Sequence, residues 1–75
     1  MSGEEYAVIL VYSTSHAMRL EKLLGAREIV SKMIPVPRQI SSDCGVCIRI
    51  LRADVAIARE VVEMAGIELQ GIVEV

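Results

Sequence analysis

Seven consecutive apolar residues, Tyr6-Ala7-Val8-Ile9-Leu10-Val11-Tyr12, set the first condition on how this chain folds. The run is rich in β-branched and aromatic residues, too short for an ordinary helix and far short of a membrane span. A strand that is apolar on both alternating faces reads as one buried inside a sheet. In a chain of 75 residues that is demanding, because a domain of this size buries only about 60–65% of its unfolded surface and its core is thin. The length suits one domain, residues 1–75 with a core over about 6–75. It also gives a reason to expect a homodimer, in which a second copy covers the apolar sheet face.

The pattern after this strand changes period. Ser13-Thr14-Ser15 is a cluster of N-cap residues, and from His16 onward Ala17, Leu20 and Leu24 fall on one helical face, with its end expected at Gly25 or as late as Arg27. A second strand is expected over residues 29–36, confined to an edge by Pro35 and Pro37. Residues 37–43 read as loop. The third strand, residues 46–51, alternates: Val46, Ile48 and Ile50 point one way, and Cys47, Arg49 and Leu51 the other. Asp54 is placed to cap a second helix whose stripe is Val55, Ala58, Val62 and Ala65, closed by Gly66. Residues 67–75 supply a last strand, with Gly71 as a point of interruption. Met18, Met33 and Met64 read as core or interface filler. The order βαββαβ predicts an α+β ferredoxin-like fold, a four-stranded antiparallel sheet with two helices on one face.

That architecture hosts many functions, so the residues must discriminate. Eight basic against ten acidic side chains leave a net charge of −2, which argues against a general phosphate-binding protein, and no nucleic-acid partner is expected. With neither Phe nor Trp, the strands lack the aromatic platform on which an RNA-recognition sheet stacks bases. Two cysteines are half the number an iron–sulfur cluster takes and too few for a disulfide framework. No basic segment followed by an apolar one opens the chain, so a cytoplasmic location is expected, with no membrane partner.

Cys44-Gly45-Val46-Cys47 is a CxxC, but it leads into a strand, whereas redox motifs of this type stand at a helix N-terminus. Zinc wants four ligands, and His16 is the only third one within the chain, so no metal site is expected in a monomer, and no cofactor. What survives is thiol chemistry centred on one cysteine. Cys44 lies in the loop and Cys47 inside a strand, where it reads as packing or as a second thiol. Arg38, Arg49 and Arg52 outnumber Asp43 between residues 36 and 52, and cations favour the thiolate. Arg38 is the expected stabiliser. No acid/base pair accompanies the thiol, so a carrier fits better than an enzyme. The competing class is a non-catalytic binding or assembly module that acts through its open sheet face.

Ser13-Thr14-Ser15-His16 after a hydrophobic strand, Glu21-Lys22-Leu23-Leu24, Ile34-Pro35-Val36-Pro37-Arg38 and Ser41-Ser42-Asp43-Cys44-Gly45 together resemble the selenium/sulfur carrier protein-like family over about residues 6–75. The resemblance implies a small bacterial accessory protein whose Cys44 bears a persulfide or selenopersulfide. Pro37, Arg38, Ser41, Ser42 and Gly45 match the motif around that cysteine. It further implies sulfur or selenium donor and acceptor proteins as partners.

Overall fold

The computed structural model describes residues 5–40 and 45–75. Strand β1 (Tyr6–Val11) leads into helix α1 (Thr14–Ala26). Strands β2 (Ser31–Pro35) and β3 (Val46–Leu51) follow, then a 3₁₀ turn at Arg52–Asp54, helix α2 (Val55–Ala65) and strand β4 (Leu69–Glu74). The sheet order is β2-β3-β1-β4 and every pairing is antiparallel, the ferredoxin-like arrangement. The all-apolar β1 sits inside the sheet. The proline-bearing β2 lies at an edge, where a missing N–H costs least.

Alternation along the strands divides the buried residues into two clusters. On the helix side, Ile9 is opposite Ile48 on one neighbour and Ile72 on the other. Ala17, Leu20 and Leu24 of α1 and Ala58, Val61 and Val62 of α2 close over this row. Val55 and Ala65, expected in the buried stripe, pack against that cluster while half-exposed, and Val61 takes the deeper position. Met33 also packs there, but Met18 and Met64 stand at the surface, 61% and 75% exposed. On the opposite face, Val8, Leu10 and Cys47 form a second buried cluster, flanked by Ile34, Val36, Ile40 and Val73. The second apolar face of β1 is therefore covered within one chain.

Both helices close by the same chemistry. Ser13, in extended conformation, accepts the His16 backbone N–H at its hydroxyl (3.2 Å) and starts α1 two residues ahead of His16. The Ser13 hydroxyl also pairs with Nδ1 of the His16 ring at 2.7 Å, so His16 is engaged locally. At the other end α1 runs through Gly25. Glu28 N–H donates to Gly25 O and Ile29 N–H to Leu24 O, both at 2.9 Å, with Glu28 in the left-handed region at φ 61°. This is a Schellman closure, made with a glutamate at a position that favours glycine. Helix α2 ends likewise at Gly66, φ 69°, where Ile67 N–H reaches Val62 O. Asp54 occupies the N-cap position of α2, but its side chain makes no capping bond, because the chain arrives through the 3₁₀ turn rather than from extended backbone. Gly71 marks an irregularity as anticipated: Leu10 pairs with Gly71 and Val11 with Leu69, so Gln70 is an extra residue in β4.

Candidate functional site

The connection between β2 and β3 is built from its base upward. Val36 N–H donates to Gly45 O at 3.1 Å, holding the two ends of the loop together. From there Pro37 opens a turn closed by Ile40 N–H to Pro37 O at 3.0 Å. Arg38 and Gln39 form the exposed corner of that turn. The turn brings Ile40 back over the sheet, where its side chain packs against Val8, Leu10 and Cys47. A single apolar residue in a polar stretch thus holds the turn at residues 37–40 against that face.

The candidate residues separate under this geometry. Arg38 is exposed, Pro37 half-buried and Gly45 exposed at the strand end. Ser41, Ser42 and Cys44 lie outside the described residues, as does Asp43. Cys47 is fully buried (0% exposed), opposite Leu10 on β1 and Ile34 on β2. Its Sγ lies 4.0 Å from the Pro35 carbonyl oxygen, a weak thiol contact. In this setting Cys47 fills the second cluster, and buried cysteines of that kind are inert until the structure opens. Gly45 has no left-handed backbone, and a Cβ built there would meet nothing within 4 Å. Neither conformation nor internal packing demands glycine at this position.

The cationic surroundings expected around the loop are only partly there. Arg52 Nη1 donates to Glu5 Oε1 at 2.7 Å and Nη2 to Val75 O at 3.2 Å, and its Nε is 3.7 Å from Glu74 Oε1. It ties the chain ends together, roughly 20 Å from Gly45 at the ~3.3 Å rise of a strand residue. Arg49 stacks on the Tyr6 ring, 4.4 Å from its centroid. Arg38 alone of the three belongs to the loop. Among the described residues it has no acidic partner, so its charge is available at the corner of the turn. Among those residues, too, no three His, Cys, Asp or Glu side chains converge in a way that could hold a metal ion. Among the described residues no helix is long and apolar enough to cross a membrane.

Reasoning from sequence missed Ile40, which is the anchor of the loop. The available signal was its isolation: one isoleucine between Gln39 and Ser41 has no helical or strand period to serve.

Neither the curated proteins nor the solved structures give a significant match to this chain. A family model does, over residues 5–74, a span that takes in all four strands, both helices and the whole β2–β3 loop. The chain belongs to the family whose description reads "Putative Se/S carrier protein-like".

Proposed function

We propose that this protein carries sulfur or selenium as a persulfide or selenopersulfide on Cys44, between a donor and an acceptor protein. The observation that carries this reading is the family match across residues 5–74. The chemistry is a single exchange. The Cys44 thiolate attacks the outer sulfur of a donor persulfide, a new S–S bond forms, the donor's own S–S bond breaks, and the donor leaves as a thiolate. Handing the outer sulfur to an acceptor thiolate repeats the exchange and returns Cys44 to its starting state. No net oxidant or reductant is consumed.

Three features of the described residues support the assignment. Arg38 places an unpaired guanidinium at the exposed corner of the loop, where it favours a thiolate or persulfide anion. Gly45 is exposed at the start of β3 with open space around it, which suits a donor's approach to this end of the loop. Cys47 is fully buried in the cluster that Ile40 packs against, which favours one cysteine, not a pair, as the group that meets the partner. Pro37 narrows the conformations of the loop, and Ser41 and Ser42 supply hydroxyls beside the thiol in the sequence. The expected location is the cytoplasm, where thiols stay reduced.

Substitution separates a carrier from an assembly module. Cys44→Ser should abolish sulfur transfer from a desulfurase-loaded protein to an acceptor thiol, and Cys47→Ser should retain most of it. Transfer can be followed with radiolabelled cysteine as the sulfur source. Equal transfer by wild type and Cys44→Ser would remove the carrier reading and leave the open-face binding module in its place.

A further inference from the structure

The register of the sheet brings two cations face to face. Lys32 on β2 is the direct cross-strand partner of Arg49 on β3, and like charges in that relation repel and destabilise a sheet. Among the described residues neither side chain has an ion pair or a hydrogen bond, and Arg49 has only its stacking on Tyr6. The strand positions sharing this face are Tyr6, Val8 and Leu10 on β1, Ile34 on β2, Cys47 and Leu51 on β3, and Gly71 and Val73 on β4. None is acidic. Among the described strand positions this face thus carries two positive charges and no negative one, on a chain of net charge −2. An edge lysine guards a sheet against unwanted pairing, but Lys32 alone would serve that purpose. Arg49 is on an inner strand, and placing it opposite Lys32 adds repulsion that edge protection does not need.

The pair also borders a cavity of about 220 Å³, lined among others by Tyr6, Val30, Ser31, Lys32, Arg49 and Leu51. Its lining includes the aromatic Tyr6, the aliphatic Val30 and Leu51, and the two cations. We propose that this cavity binds a small doubly charged oxyanion of the phosphate class. The stacked guanidinium offers a planar fork of donors and Lys32 a mobile point charge, and a dianion between them relieves the repulsion. The ligand is either the free oxyanion or a small molecule that bears it, whose apolar body would lie on Tyr6 and Val30.

The test is an amide chemical-shift titration of the full chain at constant ionic strength and about pH 8, where a phosphate monoester is a dianion. The probes are inorganic phosphate, phenyl phosphate and acetate. Both phosphates should shift the Val30, Lys32 and Arg49 amides saturably, with acetate far weaker. Tighter binding of phenyl phosphate assigns the site to a phosphorylated small molecule, and equal binding assigns it to the free oxyanion. Lys32→Gln should weaken binding about tenfold, the loss of one charge-assisted contact. It should also raise the melting temperature of the ligand-free protein, because the repulsion is gone. Shifts that never saturate, acetate binding as well as phosphate, or a Lys32→Gln variant with unchanged affinity would each overturn the proposal.

Discussion

Replacing Ile9 with alanine is expected to cost about 3–4 kcal/mol, within the range for truncating a fully buried isoleucine. Ile9 is 0% exposed, lies between Ile48 and Ile72 in the two flanking strands, and is roofed by both helices. No neighbour on so regular a row can move in to fill the space. At about 0.05–0.15 kcal/mol per residue, a chain of this length has roughly 4–11 kcal/mol of total stability, so the substitution removes a large share of it. For a domain this small each kcal/mol moves the melting temperature by about 4–8 °C. Circular dichroism should therefore record a fall of roughly 12–30 °C. A drop of only a few degrees would mean that the helices do not close over the sheet as described.

The second large effect concerns access rather than global stability. Ile40→Ala should speed alkylation of Cys47 by about tenfold, measured in a Cys44→Ser background so that one thiol reports. Ile40 holds the loop on Val8, Leu10 and Cys47, and losing most of a half-buried isoleucine forfeits about 1–2 kcal/mol of local anchoring. Every 1.4 kcal/mol is tenfold in the population of the open loop, through which a buried thiol reacts. The melting temperature should move much less than with Ile9→Ala, since the helix-side cluster is untouched. If Cys47 in the parent reacts as fast as a surface thiol, Ile40 is not its cover.

The order and type of the elements were legible because each carried its own period. Seven apolar residues marked an inner strand, the alternation of residues 46–51 sorted β3 correctly between its two faces, and Gly66 closed α2 as a left-handed residue. Helix α1 was harder. Its closing left-handed residue is Glu28, which carries no such signal, so the visible glycine, Gly25, suggested an end that the helix passes through, while the later end at Arg27 matches the observed C-cap. The site was less legible than the fold for a related reason. Arg49 and Arg52 are near Cys44 in sequence, but a strand carries each successive residue ~3.3 Å further off. The register then delivers Arg49 to Tyr6 and Lys32, and Arg52 to Glu5 and Glu74. Proximity in sequence became distance from the loop's end at Gly45, and of the three arginines Arg38 alone stays in the loop. The pairing of Lys32 with Arg49 depends on a register between strands separated by a long loop, which no local pattern specifies.

The same contrast organises the two cysteines. One belongs, in the sequence, to the connection between β2 and β3, and the other is buried in the cluster against which Ile40 packs. The account therefore predicts a sharp asymmetry when the wild-type protein is incubated with a cysteine desulfurase and cysteine, then analysed by intact mass and peptide mapping under non-reducing conditions. One sulfur should be gained, mapped to Cys44, and removed by a thiol reductant. A protein that gains no sulfur, or gains it on Cys47 alone, would contradict the carrier reading.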